Sequence, residues 1–289
     1  MIDVTVRSSI LVSMNRLPKA KQIRVVSALV EGCSIRATVR MTGVAKNTII
    51  KLLTELGAAC SAYQDEKFRN LSCKRIECDE IWSFVGAKQK NVPAEKRGQP
   101  GIGDVWTWTA IDADTKLIPS WLVADRSPEA GYQFMSDLAS RLASRVQLTS
   151  DGYKVYMDAV DAAFGQDIDF AMLVKTYGLD KRKDESRYSP AVCTGIKKNK
   201  MTGEPDMKHV STSYVERANL TMRMSMRRFT RLTNAFSKKM ENHTAAIALH
   251  FMNYNFCRIH QTLRVTPAMA AGIVDRVWEI EDLIGLLDA

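Results

Sequence analysis

The stretch Arg75-Ile76-Glu77-Cys78-Asp79-Glu80-Ile81-Trp82-Ser83-Phe84-Val85-Gly86 decides how the rest of the chain is organised. Its β-branched and aromatic residues, followed by a glycine, predict a buried strand over 75–86. Asp79 and Glu80 lie in the middle of this strand. A carboxylate inside a core strand is unfavourable unless it is paired or bound to a metal ion. The stretch therefore indicates either a strand end where acids meet water, or a site that uses carboxylates.

Composition sets the broad class of the protein. The chain has 289 residues, 46% of them hydrophobic, which is typical of a globular protein with one large domain or two domains. We expect no membrane span and no secretory signal, because no apolar run is long enough and the start lacks the order of a signal. The six cysteines are scattered, which indicates reduced thiols in a cytoplasmic protein and argues against a zinc site.

The net charge of +9 is unevenly distributed along the chain. Residues 1–75 carry 13 basic and 5 acidic side chains, residues 76–177 carry 10 and 15, and residues 215–264 carry 9 and 2. An acidic middle between basic arms is typical of an enzyme that grips a polyanion and gathers carboxylates at a metal ion. A basic, soluble surface without a nucleic-acid role is the alternative.

The N-terminal part shows three helical patterns, which run from Lys19 to Glu31, from the N-cap Ser34 onward, and from Lys46 to Leu56. Helix, short helix, glycine-containing turn and helix is the helix-turn-helix order. In that arrangement four side chains would face the major groove of DNA or its phosphates: Lys46, Asn47, Thr48 and Lys51. A small helical bundle that does not bind DNA is the alternative.

The middle of the chain predicts an α/β fold. Strands at 75–86, 104–113 and 117–124 form an antiparallel meander, and a helix, a strand at 146–151, a helix and a strand at 169–176 follow. This order predicts a mixed five-stranded sheet with helices on both faces, as in a ribonuclease H-like fold.

We expect the chain to divide into an N-terminal helix-turn-helix DNA-binding domain (1–60), a linker (61–75), a ribonuclease H-like catalytic domain (76–270) and a helical tail (271–289). An insertion at 178–213 carries lysine clusters and has no apolar period, which predicts a long loop that is mobile without DNA.

Three acids fall where such a sheet would bring them together. Asp79 lies in the first strand, Asp151 ends the fourth, and Glu216 begins the helix after the insertion. Three neighbouring carboxylates need cations, and Mg²⁺ or Mn²⁺ suit oxygen ligands. We expect two such ions, which can activate a water and stabilise the leaving oxygen of a phosphodiester. Glu80 alternates to the opposite face from Asp79, where we expect it to pair with a basic side chain.

The helix from Glu216 carries a second pattern. At about 100° per residue, Arg223 and Arg227 fall on nearly the same stripe as Glu216, so one stripe offers a carboxylate for metal and two guanidiniums for phosphates. A second face is largely apolar and is predicted to be core; it contains Val215, Asn219, Met222, Met226 and Phe229. An amphipathic surface helix is the alternative.

Several motifs in this order resemble a bacterial insertion-sequence transposase of the DDE type, closest to the insertion-sequence-one family. The main ones are Asp79-Glu80-Ile81-Trp82, Thr149-Ser150-Asp151-Gly152 and Glu216-Arg217-Ala218-Asn219, and their acids are spaced by 72 and then 65 residues. The family's third acid is typically followed seven residues on by Lys or Arg, and Arg223 fits. The similarity covers residues 19–270. One departure is the absence of the cysteine-rich zinc finger that members near the family's type carry before the helix-turn-helix.

The resemblance implies a transposase that cleaves and joins the ends of an insertion element by metal-dependent phosphoryl transfer. Asp79, Asp151 and Glu216 would be both catalytic residues and metal ligands. The expected partner is DNA, bound by a homo-oligomer in the bacterial cytoplasm. Two alternatives stay open: a stand-alone metal-dependent nuclease, and a sequence-specific repressor with an inactive nuclease-like core.

Overall fold

The computed structural model of the chain describes residues 16–99, 101–178, 192–230 and 233–288. Its α-helices are α1 (Lys19–Val30), α2 (Ile35–Thr42), α3 (Lys46–Lys67), α4 (Pro128–Arg141), α5 (Val155–Phe164), α6 (Ser213–Ser225), α7 (Met240–Met252), α8 (Pro267–Ala270) and α9 (Ile280–Gly285). Its strands are β1 (Arg75–Val85), β2 (Gly103–Asp112), β3 (Ser120–Ala124), β4 (Gln147–Ser150), β5 (Asp169–Gly178) and β6 (Val192–Thr202).

These strands form one mixed sheet in the order β3-β2-β1-β4-β5-β6. The first three strands are an antiparallel meander, β1, β4 and β5 run parallel, and β6 returns antiparallel to β5. The chain therefore has an α/β architecture in which β1 lies inside the sheet, between β2 and β4.

The sheet has six described strands, so the prediction of five was wrong. The extra strand, β6, lies inside the 178–213 segment that was predicted to be a loop. Its described side chains from Cys193 onward are mostly exposed and include Lys197, Lys198 and Lys200. An exposed edge strand rich in lysines has no apolar alternation to reveal it, and such lysines hinder pairing with other chains. Residues 179–191 of the predicted insertion lie outside the described residues.

Helices cover both faces of the sheet, as expected. Trp108 of β2 lies opposite Glu80 of β1 and packs on Phe134 of α4 and Tyr156 of α5. The other face of β1 meets α6, where Asn219 reaches Asp79. Alternate residues of β1 thus belong to two different environments.

Helix α3 is longer than predicted and continues through the boundary that the sequence placed at residue 60. It ends at Lys67 rather than Leu56, and one face of the additional turns, with Gly57, Cys60 and Gln64, is buried. Gly57 lies so close to Ala245 of α7 that a Cβ atom there would be 2.5 Å from the Cα of Ala245. The predicted linker at 61–75 therefore begins inside a helix.

The shorter N-terminal elements match the sequence more closely. Ser34 caps α2 by accepting a hydrogen bond from the N–H of Ala37 at 3.2 Å, as predicted. Gly43 follows α2 in the left-handed conformation with φ of 68°, which explains the glycine in this turn. Among the described residues, no helix is long and apolar enough to cross a membrane.

Candidate active site

Asp79 and Asp151 are brought side by side by the register of β1 and β4. Cys78 pairs with Ser150 across the two parallel strands, and the two aspartates are the next residues along the chain. The predicted adjacency of the first and fourth strands is confirmed. Oδ1 of Asp151 also accepts the N–H of Tyr153 at 2.8 Å, which fixes the carboxylate at the turn that leads into α5.

The pKa of Asp79 is raised by its surroundings. Burial, and then the negative charge of Asp151, raise the pKa of Asp79 to about 6, with a smaller contribution from Glu216. The hydrogen bond from Nδ2 of Asn219 to Oδ2 of Asp79, 2.8 Å long, acts in the opposite direction. Burial thus contributes more to this shift than the negative charge of the neighbouring carboxylates does.

Glu77 holds α6 against β1, and sequence reasoning missed this residue. Its buried carboxylate accepts the N–H groups of Tyr214 at 2.7 Å and Val215 at 3.0 Å, at the start of α6. Two donors that the helix leaves unpaired are thereby satisfied by a side chain from the sheet. Its position two residues before Asp79, on the same face of the strand, is the only sequence signal for this role.

Glu216 lies on α6, and its carboxylate is paired with a lysine side chain. Lys175 of β5 forms an ion pair with its Oε1, and the Thr212 hydroxyl donates a hydrogen bond to the same oxygen at 2.7 Å. The side chain of Glu216 is 45% exposed. Glu216 is thus near enough to influence Asp79, but Lys175 holds its carboxylate.

The described residues do not form a complete set of metal ligands. Within the ranges that the structure describes, no group of three or more His, Cys, Asp and Glu side chains is placed to hold a metal ion. The donor chemistry still fits a hard divalent cation, because Asp79 and Asp151 offer carboxylate oxygens that repel each other. In addition, Oδ1 of Asn219 is buried without a hydrogen-bond partner, which leaves one more oxygen beside Asp79.

Glu80 occupies the other face of β1 and pairs with Arg126, as the alternation predicted. The guanidinium of Arg126 donates to Oε2 of Glu80 at 3.1 Å. Burial nevertheless raises the pKa of Glu80 to about 7, since its side chain is only 1% exposed. Glu80 is thus a second carboxyl group whose pKa burial raises towards neutrality, despite its pairing with Arg126.

The two arginines predicted on one stripe with Glu216 lie in different environments. Helix α6 ends at Ser225, and Arg227 begins a 3₁₀ turn that spans Arg227–Phe229, so the prediction of one continuous stripe was wrong. Arg223 is half-buried and donates from Nη1 to the carbonyl of Phe229 at 3.3 Å. The predicted apolar face, in contrast, is confirmed as core: Val215, Asn219, Met222, Met226 and Phe229 are all buried.

A cavity of about 1200 Å³ is lined by residues of the N-terminal helices on one side and by residues from the 225–250 segment on the other. The cavity is lined by three of the predicted DNA-binding residues, Lys46, Asn47 and Arg227. Arg227 lies on the wall opposite to Lys46 and Asn47. Thr48 and Lys51 are exposed on α3 and do not line this cavity. The cavity thus brings together basic side chains that lie far apart in the sequence.

One wall of this cavity rests on a buried polar network that the sequence did not predict. Nη1 of Arg228 donates to Oγ of Ser237 at 2.8 Å, and Ser237 contacts Nδ1 of His243 at 2.8 Å. Nε2 of His243 contacts Oγ of Ser83 on β1 at 3.0 Å. Burial, together with the charge of Arg228, lowers the pKa of His243 to about 3, so this imidazole is neutral and its contacts are structural.

The chain shows a likeness to known proteins in structure and not in sequence. No family model and no curated protein matches the chain. Among solved structures, a match is found to the cryo-EM structure of a piggyBac transposase synaptic complex with hairpin DNA. The two sequences are 11% identical, the TM-score is 0.45, and the match covers 95% of this chain and 73% of the other. At that identity and score the likeness does not assign the chain to a family.

Proposed function

We propose that the chain is a DDE-type transposase that cleaves and joins the ends of an insertion element by divalent-metal-dependent phosphoryl transfer. The observation that carries the proposal is the pairing of Asp79 and Asp151 at the ends of neighbouring parallel strands. Its consequence is the pKa of Asp79, which burial and Asp151 raise to about 6. Carboxylates that crowd in this way are typical of sites that bind cations or exchange protons.

The residues of the site have distinct roles in this proposal. Asp79 and Asp151 would hold the ions, Mg²⁺ or Mn²⁺, and Glu216 would join them once it leaves Lys175. Bound divalent ions would activate the attacking hydroxyl and stabilise charge on the phosphate. Glu77 positions Glu216 and Asn219 by anchoring α6 to β1. The nucleophile would be water for nicking and a DNA 3′-hydroxyl for joining.

DNA would be held by the basic N-terminal helices and by the opposite wall of the large cavity. Lys46, Asn47, Thr48 and Lys51 are exposed at the start of α3, as the second long helix of a helix-turn-helix requires. Arg227 faces the same cavity as Lys46 and would contact the DNA backbone. Arg223 would instead support the 3₁₀ turn that carries Arg227.

The fold supports the proposal at the level of topology. The order β3-β2-β1-β4-β5, with the antiparallel meander first and the parallel strands after it, supports the proposed ribonuclease H-like sheet, beside which β6 is an additional edge strand. We further propose that the protein acts as a homo-oligomer on DNA in the bacterial cytoplasm, in line with the family that its motifs resemble.

A sequence-specific repressor with an inactive core is the second candidate. The ion pair between Lys175 and Glu216 favours it, because a lysine that holds the third acid would oppose metal binding. A stand-alone nuclease is distinguished from a transposase only by the joining step.

The test uses a plasmid that carries the coding sequence with its flanking DNA. Purified protein with Mn²⁺ should nick it, and pre-cleaved ends with free 3′-hydroxyls should be joined to a target plasmid. Lys46→Ala with Asn47→Ala should abolish cutting at the element's ends and leave nicking of random DNA. Nicking without joining would indicate a nuclease, and binding without any cleavage would indicate a repressor.

A further inference from the structure

A row of aromatic rings runs along the end of β1, beyond the acids. Trp82 and Phe84 are two residues apart and therefore project from the same face of the strand. Their ring centroids are 5.8 Å apart, and Phe236 extends the row at 4.8 Å from Phe84. All three side chains are only partly buried.

Lysine ammonium groups lie against these rings. Nζ of Lys88 is 5.7 Å from the centroid of Trp82 and 5.8 Å from that of Phe84, and Nζ of Lys238 is 3.2 Å from that of Phe236. Such contacts use the negative face of an aromatic ring. A lysine ammonium group, rather than a core side chain, thus lies against each ring, and a stacking base would take the place of Lys88 on Trp82.

A pocket of about 660 Å³ opens in front of Trp82. Its wall includes Lys88, Lys90 and Arg97, with Asp104 as its acid. Oδ1 of Asp104 accepts the N–H of Gln89 at 2.9 Å, so this carboxylate is already engaged in holding the turn. The pocket therefore combines one indole face with an excess of positive charge.

We propose that this aromatic–lysine pocket binds an unpaired nucleotide of a DNA strand, with its base stacked on Trp82 and its phosphates near Lys88, Lys90 and Arg97. Proteins bind single strands by this combination of stacking rings and basic side chains. An acidic peptide would use the cations but not the ring faces, and a cationic ligand would be repelled. A base in an intact duplex is already stacked between its neighbours and has no free face to offer.

Trp82 lies on the same strand as the proposed catalytic residue Asp79. It is three residues beyond Asp79 on β1, about 10 Å along the strand, and its side chain projects from the face of Glu80, opposite to that of Asp79. A nucleotide held there would therefore belong to a strand that has left the duplex and lies across the sheet from the proposed cleavage site. The inference rests on the proposed function only in taking DNA as the ligand, and it requires neither metal nor cleavage.

The test measures the binding of fluorescein-labelled oligo-dT to the full chain by anisotropy, in EDTA and at fixed salt. Trp82→Leu removes the π-face and should weaken binding at least about fivefold, whereas Trp82→Phe keeps a ring and should remain within about twofold of wild type. Tyr132→Ala, at an exposed tyrosine of α4, is the matched control and should bind as wild type. Affinity for a duplex of equal length should not change in any of them.

A second measurement does not depend on a substitution. Under ultraviolet light, an oligonucleotide that contains 5-bromodeoxyuridine should crosslink to the peptide that contains Trp82 or to the one that contains Phe236. Wild-type affinity of a folded Trp82→Leu variant, or crosslinks confined to other peptides, would overturn the inference. Oligo-dT binding through Trp82 by a protein that never cleaves DNA would uphold it and refute the transposase proposal.

Discussion

The side-chain amide of Asn219 donates a 2.8 Å hydrogen bond to Oδ2 of Asp79, and this bond joins α6 to the centre of the sheet. Asn219 is three residues after Glu216, so both side chains depend on how α6 is seated on β1. The remaining oxygen of Asn219 is buried without a partner. A buried acceptor without a donor is unfavourable, and in the site proposed above this oxygen would be available to a cation.

The raised pKa of Asp79 predicts that the stability of the metal-free protein depends on pH. Because the folded-state pKa is about 6 and the unfolded value is about 3.9, the folded state binds more protons between these values. This carboxylate therefore lowers the free energy of unfolding as pH rises through that window.

Asp79→Asn should accordingly stabilise the metal-free protein at pH 7.5, by about 1–3 kcal/mol, and the gain should shrink towards pH 4.5. Urea denaturation in EDTA at both values measures this difference. Asp114→Asn is a control of opposite sign, because Arg75 lowers the pKa of Asp114. A destabilised Asp79→Asn protein at pH 7.5 would mean that Asp79 is a structural residue.

Removing the carboxylate of Glu77 should loosen α6. Glu77→Ala leaves the N–H groups of Tyr214 and Val215 unpaired in a buried place and should cost about 1–3 kcal/mol. Glu77→Gln keeps an acceptor and should cost less. Thermal melts of both variants provide the measurement, with Glu129→Ala, in the exposed first turn of α4, as the matched control. A Glu77→Ala protein as stable as wild type would exclude the anchoring role.

Lys175 competes with any cation for Glu216. Lys175→Ala should therefore tighten Mn²⁺ binding by a few-fold at most, since partly exposed ion pairs contribute up to about 1 kcal/mol. Isothermal titration of the metal-free protein with Mn²⁺ tests this expectation. Lys197→Ala, at an exposed lysine on the neighbouring strand β6, should leave the affinity unchanged. Weaker binding by Lys175→Ala would show that Glu216 is not a ligand.

The contact between α3 and α7 depends on the absence of a side chain at Gly57. A Cβ atom at this position would be 2.5 Å from both Cα and Cβ of Ala245, so Gly57→Ala should destabilise the protein by about 1–3 kcal/mol despite the higher helix propensity of alanine. Gly285→Ala, in α9 with no atom near the added Cβ, is the control. Chemical denaturation of both variants measures this difference. A Gly57→Ala protein as stable as wild type would mean that the two helices separate easily.

The sequence predicted those parts of the molecule that its local pattern encodes. The alternation in β1, the turn at Gly43 and the apolar face of α6 each depend on neighbouring residues, so their positions followed directly from the residue order. The adjacency of Asp79 and Asp151 followed from the strand order.

What the sequence did not reveal depends on partners far away in the chain. Helix α3 continues to Lys67 because α7 covers it, and β6 forms because β5 offers an open edge. The capping of α6 by Glu77 and the ion pair between Lys175 and Glu216 join residues about 137 and 41 positions apart. No local pattern contains such pairings.

The most direct test of the central claim is metal-dependent cleavage by Asp151→Asn. Asparagine keeps the oxygen that accepts the N–H of Tyr153, so the turn into α5 should survive while the charge is lost. In a supercoiled-plasmid assay with Mn²⁺, wild type should nick the DNA, whereas Asp151→Asn should lose at least about a hundredfold in rate and bind DNA as tightly as before. Nicking by Asp151→Asn at the wild-type rate would contradict the assignment of Asp79 and Asp151 as the catalytic carboxylates.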